Sequence, residues 1–294
     1  MTAWWGIALV GIALAVWWPI RGRIAARKEQ QFMEANPRGA DGFIIGAAPY
    51  TLFGTRSGAV LLLHGYNDSP QSLLSMARII HARGWTVHVP ALPGHGRTLQ
   101  AFAASGADQW ITAARAELRT LQHTHADIAV GGLSMGGAIA LMLAAETRSV
   151  RAVVAFAPYV HASAPLHLFA AVAPLAALRA RWVSGGGGRS VRDPVAAAAM
   201  IAYRQSTPRL LVQLAHVVHR TRAILSAVRQ PVLVLQSRED NRIPMASAQE
   251  AFARIGSADK TLQWSSGSAH VITVDYGYEN VGVAAADWLE TRLP

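Results

Sequence analysis

The 294-residue chain has no cysteine and almost no lysine, two against 25 arginines. The missing cysteine excludes a disulfide framework, a thiolate metal site and a cysteine nucleophile. Charge is also scarce, at 15% of residues against 52% hydrophobic, which excludes a disordered chain. Acids are outnumbered, 17 to 27, so the formal charge is +10. An excess of that size points to nucleic acid, to an anionic membrane surface, or to a local bias in where arginine is used. The length fits one large domain or two small ones.

The first long feature is Ala3–Ile20, which contains no charged side chain. As a helix it is roughly 27 Å long, close to the apolar thickness of a bilayer. Tryptophan pairs sit at both of its ends, Trp4 and Trp5 and then Trp17 and Trp18, and Arg21, Arg23, Arg27 and Lys28 follow. Paired indoles and a basic flank after the run predict a single-pass anchor at residues 1–28, with everything after Arg21 on the cytoplasmic side. A secretory signal and a buried or interfacial helix are the competing readings. A cleaved signal needs its positive charge before the apolar run, where Met1-Thr2 has none.

After a connecting segment and first strands over 29–56, apolar runs alternate with helical spacing. Ala59–Leu63, Trp85–Val89, Ile128–Val130, Val150–Phe156, Pro231–Leu235 and Thr261–Trp264 read as strands. Asp68-Ser69-Pro70 signals a helix start. Further helices are expected at Asp108–Leu121, Gly136–Glu146, Met245–Ile255 and Tyr278–Thr291. This alternation predicts an α/β fold with a mostly parallel central sheet flanked by helices, in two parts over 57–159 and 231–294. Residues 160–230 break the rhythm with helical pieces, prolines and no convincing strand. They carry nine arginines and one acid, Asp193, and read as a basic helical cap inserted into the core. Its run Gly185–Gly188 lacks the strand and the Lys-Ser/Thr of a phosphate loop, so it reads as a flexible loop.

The sharpest motif is Gly132-Leu133-Ser134-Met135-Gly136 between a strand and a small-residue helix. A serine that attacks a carbonyl must stand proud of the sheet on a tight turn, and its neighbours must be nearly bare. Serine needs a base, and the base an orienting acid. Of eleven histidines, His270 alone follows the last strand and precedes the last helix. His216 and His219 could share a helix face, but no carboxylate or HExxH pattern makes them a metal site. Asp240, five residues past Leu235, is the expected acid; Glu239 and Asp275 compete as a solvated loop charge and a helix cap. The order Ser134, Asp240, His270 suits a nucleophile elbow. Backbone N–H groups of Met135 and Tyr66 are the expected oxyanion donors. His64 is read as a structural histidine holding the Tyr66 loop.

Together these residues resemble the α/β-hydrolase superfamily, and within it the carboxylesterase and monoacylglycerol-lipase branch, which includes serine aminopeptidase-like enzymes. The matching motifs are Leu61-Leu62-Leu63-His64-Gly65-Tyr66 with Ser69-Pro70, Pro93-Gly94-His95-Gly96, Gly132–Gly137, Pro231–Leu235 with Asp240 and Pro244, and His270-Val271-Ile272 with Asp275. They cover about residues 57–292. The resemblance implies hydrolysis of carboxylic esters through an acyl-serine, with no metal or cofactor and a cap that shapes the acyl pocket. Tyr66 stands where phenylalanine is usual, and the cap is unusually rich in arginine. The expected substrates are acyl esters at a bilayer, such as monoacylglycerol or lysolipid. An amidase, aminopeptidase or thioesterase would use the same triad, and an idle membrane-bound binding module is the reading from another class. The basic residues cluster beside the apolar run and in the cap, without a nucleic-acid motif, so membrane rather than nucleic acid is the expected partner.

Overall fold

The computed structural model describes residues 2–161, 173, 181–184 and 190–294, and side chains from residue 17 onward other than that of Ser184. Gly185–Gly188 and His167 lie outside the described residues.

Seven strands form one sheet in the order β1-β3-β2-β4-β5-β8-β9. They are β1 Tyr50–Leu52, β2 Ala59–Leu63, β3 Thr86–Val89, β4 Ile128–Leu133, β5 Val150–Phe156, β8 Val232–Ser237 and β9 Lys260–Ser265. Only β1 runs antiparallel, against β3. Strands β2 and β4 are buried at every position, as continuous apolar runs must be when helices cover both faces. Alternation within each strand then divides the core. Leu61, Leu63 and Val130 face one cluster with helices α4 (Ala107–Gln122) and α5 (Met135–Glu146). Val60, Leu62 and Ala129 face the other, with α2 (Leu74–His81) and α9 (Tyr278–Glu290).

Register brings the strand ends level. Leu63 lies opposite Gly132, Leu133 opposite Phe156, and Phe156 opposite Leu235. The loops leaving these carboxyl ends therefore share one edge of the sheet, where open α/β sheets place their sites.

The expected transmembrane helix is not found. Among the described residues no helix is long and apolar enough to cross a membrane. Helix α1 runs instead from Thr2 to Ala35, through Pro19 and past both the expected span Ala3–Ile20 and its basic flank to Lys28. Arginine, lysine, glutamate and glutamine are good helix formers, so nothing after Arg21 stops it. The side chains of 2–16, most of the expected span, lie outside the description. The second half of α1 packs on the domain. Ala25 is buried, Phe32 stacks on Tyr203 with ring centroids 5.3 Å apart, and Lys28 Nζ donates to Gln205 Oε1 at 3.1 Å. The Glu29 carboxylate faces the N–H groups of Leu99 and Gln100, the first turn of α3 (Leu99–Ala104).

In the 160–230 segment, two strands occur where the sequence showed none. Strands β6 (Val183–Ser184) and β7 (Gln205–Ser206) pair antiparallel. They are too short to leave an apolar alternation. Helix α6 (Pro194–Ala199) starts on Asp193, whose carboxylate accepts from the Val195 N–H at 2.8 Å. Helix α7 (Pro208–Ile224) lies against α5, with Thr221 Oγ1 donating to the Ala138 carbonyl at 3.3 Å.

Candidate active site

Ser134 sits between β4 and α5 with φ 54° and ψ −114°. That backbone is costly for a residue with a Cβ, and its surroundings hold it. The Ser134 N–H donates to the Phe156 carbonyl at 2.9 Å, and its carbonyl accepts from Tyr159 N–H at 3.0 Å and Ala138 N–H at 3.0 Å. The glycines are required by close approach: a Cβ on Gly136 would lie 1.9 Å from the Leu63 carbonyl oxygen, and one on Gly132 2.5 Å from the same atom. The described residues with positive φ other than glycine are Asn67, Ser134, Ala157 and Arg204. The first three follow β2, β4 and β5 at the edge just defined.

His270 and Asp240 arrive from the loops after β9 and β8. Ser134 Oγ lies 2.8 Å from His270 Nε2, and His270 Nδ1 lies 2.8 Å from Asp240 Oδ2. Asp240 Oδ1 accepts from the N–H groups of Arg242 at 2.7 Å and Ile243 at 2.9 Å, and Oδ2 also accepts from Gln236 Nε2 at 2.6 Å. Burial pushes the Asp240 carboxyl up, but His270 and the N–H groups of Arg242 and Ile243 together outweigh it and hold it below the ordinary carboxylate range. Asp240 therefore stays ionised and fixes the tautomer with Nδ1 protonated, leaving Nε2 to accept from the serine.

The competing acids fall elsewhere. Glu239 Oε2 accepts from Gly267 N–H at 3.2 Å, and Asp275 accepts four backbone N–H groups; neither carboxylate is bonded to the His270 ring. Gln236 was not anticipated, because a glutamine ending an apolar strand has no signature of its own.

Met135 opens α5, so its N–H has no acceptor within the helix and is available beside the serine. The Tyr66 loop abuts Ser134, since a Cβ on Gly65 would lie 3.6 Å from Ser134 Cβ. His64 holds that loop. The Leu92 N–H donates to His64 Nε2 at 3.1 Å, so Nδ1 carries the proton and donates to the Gly65 carbonyl at 2.9 Å. Burial pushes His64 down to about 4, which keeps it neutral. Asp68, in the same loop, accepts from Ser69 N–H at 2.8 Å and is pushed up to about 7 by burial, against hydrogen bonds and the nearby His270.

Residues Tyr203–Ser206 of the 160–230 segment lie over this loop. Tyr203 N–H donates to the Asn67 carbonyl at 3.2 Å, the Tyr66 hydroxyl bonds the Ser206 hydroxyl, and Tyr203 Oη donates to the Gly94 carbonyl at 2.7 Å. No grouping of acids and histidines among the described residues would hold a metal ion.

The model of the serine aminopeptidase, S33 family matches residues 54–276. The chain belongs to that family. It is 28% identical over 226 residues to a thermostable monoacylglycerol lipase of Bacillus sp. (strain H-257), covering 74% of this chain and 84% of that enzyme. It is 25% identical over 248 residues to a carboxylesterase of Bacillus subtilis (strain 168), covering 84% and 98%. Among solved structures, one from a study of the metagenome-derived lipolytic enzymes LipS and LipT superposes with a TM-score of 0.77 at 29% identity, over 84% of this chain and 98% of that one. The family member described here is an α/β-fold serine hydrolase that acts on esters.

Proposed function

We propose that this S33-family protein cleaves acyl esters of small alcohols, such as monoacylglycerol or lysolipid, with Ser134 as nucleophile. The observation that carries the assignment is the unbroken chain from Ser134 Oγ through His270 to an ionised Asp240. His270 Nε2 takes the serine proton as Oγ attacks the ester carbonyl. The tetrahedral oxyanion is held by the N–H groups of Met135 and Tyr66. His270 then gives its proton to the departing alcohol, leaving an acyl-serine. Water, deprotonated by the same histidine, releases the acid and restores the enzyme. Asp240 stabilises the imidazolium at both stages.

The uncharged run Ala3–Ile20, its basic flank and the exposure of Trp17 and Trp18 support attachment of the N-terminal segment to a membrane, with the catalytic domain on the cytoplasmic side. The monoacylglycerol lipase relative supports a lipid ester as the substrate.

A chain-length series of nitrophenyl and glycerol esters, assayed free and in anionic vesicles, tests the proposal. Turnover that peaks with acyl chains and vanishes in Ser134→Ala is expected. Faster cleavage of aminoacyl amides than of any ester would assign the site to peptides instead.

A further inference from the structure

The loop that carries His270 is pinned peptide by peptide. The Gly267 N–H donates to Glu239 Oε2 at 3.2 Å, and the Ser268 carbonyl accepts from Ser237 Oγ at 2.6 Å. The Ala269 N–H donates to Asp275 Oδ2 at 2.6 Å, and the Val271 N–H donates to the Ser190 carbonyl at 3.0 Å. Two of these anchors belong to the sheet edge. The other two lead to the cap's return, Ser190–Asp193.

Asp275 joins the two sides. It is fully buried. Oδ2 accepts from Ala269 N–H and from Arg192 N–H, the latter at 2.9 Å. Oδ1 accepts from Tyr276 N–H at 2.9 Å and from Asp193 N–H at 2.9 Å. Each oxygen thus bridges one N–H of the histidine loop and one N–H of the cap. Four donors converge on one acceptor-only group, an arrangement that a neutral amide cannot copy, because its NH2 would face two N–H groups. Arg242 strengthens the seam. Its backbone N–H holds Asp240, and its Nε donates to Ser190 Oγ at 2.8 Å.

We propose that Asp275 is a positioning residue that registers the cap segment Ser190–Asp193 against the loop of His270, so that the cap's placement and the histidine's placement are set by one carboxylate. It touches neither substrate nor reacting atoms. It acts by holding the Ala269 peptide, one residue before the imidazole, and it transmits to that peptide any shift of the cap. The proposal rests on the serine-hydrolase reading of the site.

The test compares wild type with Asp275→Asn, Asp193→Pro and Asp193→Ala in the full chain. The readouts are the rate of Ser134 labelling by a fluorophosphonate, kcat and KM for a nitrophenyl ester, the pH profile of kcat/KM, and the melting temperature. Asp193 has φ −62°, which proline adopts near −65°, so Asp193→Pro removes one cap N–H. Asp193→Ala keeps that N–H and loses only the helix cap. In folded Asp275→Asn, kcat and the labelling rate fall roughly 10–100-fold with KM little changed, as for a misplaced base. The pH profile of kcat/KM changes with them, because Asp240 no longer meets the imidazole squarely. Asp193→Pro loses several-fold more kcat than Asp193→Ala. A folded Asp275→Asn with wild-type kcat and pH profile overturns the proposal. If that variant does not fold, equal kcat in the two Asp193 variants overturns it. A wild type that is labelled at Ser134 but cleaves no ester would refute the substrate reading alone, and the labelling rates would still judge Asp275.

Discussion

The loop after β2 contains two buried titratable groups, His64 and Asp68, whose effects on stability oppose each other. His64 is shifted by burial from 6.5 to about 4, and Asp68 from 3.8 to about 7. Between those limits the folded protein holds His64 neutral and Asp68 protonated, while the unfolded chain has the histidine charged and the aspartate ionised. Unfolding in this window adds a proton at one residue and releases one at the other, so the pair contributes almost no pH dependence from about pH 4 to 6.5. In His64→Gln only Asp68 remains. Its folded pKa is raised, so stability falls as pH rises, by about 1.4 kcal/mol per unit. In Asp68→Asn only His64 remains. Its folded pKa is depressed, so stability is lost as pH falls through the same window, at the same rate of about 1.4 kcal/mol per unit. The two variants should therefore diverge by roughly 2.7 kcal/mol for each pH unit. Urea unfolding at pH 4.5, 5.5 and 6.5 reads the difference between the two slopes, in which the buried His95, itself held well below its ordinary value, and any constant cost of the substitutions cancel. Parallel slopes in both variants would refute the assignment of opposite linkage to the two residues.

Other outcomes follow from the site. Asp240→Asn keeps the volume but allows the wrong imidazole tautomer, and kcat/KM should drop roughly 10³–10⁴-fold without loss of fold by circular dichroism. Gly136→Ala drives a methyl group into the Leu63 carbonyl and should cost more than about 3 kcal/mol or prevent folding, read as soluble yield and melting temperature. Tyr66→Phe removes the hydroxyl that reaches Ser206 but keeps the backbone N–H. It should lose about 1 kcal/mol of stability while kcat changes little; a large fall in kcat would give the hydroxyl itself a role in oxyanion binding.

Much of this site was legible in the chain. Apolar runs bounded by turns located Ala59–Leu63 and Val150–Phe156 to the residue, because buried parallel strands have no polar face to blur them. Strand β4 extends to Leu133 beyond its apolar run, since Gly131 and Gly132 look like turn residues in one dimension and are strand residues here for lack of room. The elbow and the chain order pointed to Ser134 and His270. Its place after Leu235 favoured Asp240 over Glu239 and Asp275, and the His270 Nδ1 contact agrees; the donors that hold each carboxylate carry no signature in the chain. The segment Tyr203–Ser206 and its contact with Phe32 were invisible for a similar reason: single aromatic residues in irregular segments carry no periodicity. The N-terminal run suggested a boundary at Arg21, whereas charge does not end a helix that has tertiary partners.

The central claim is that Ser134 is the activated nucleophile of an ester hydrolase. Intact-mass and peptide analysis after exposure to a fluorophosphonate tests it most directly. One adduct is expected, on Ser134, absent in Ser134→Ala and strongly slowed in His270→Ala, with ester turnover lost in step. An adduct on another residue, or full ester turnover in Ser134→Ala, would contradict it.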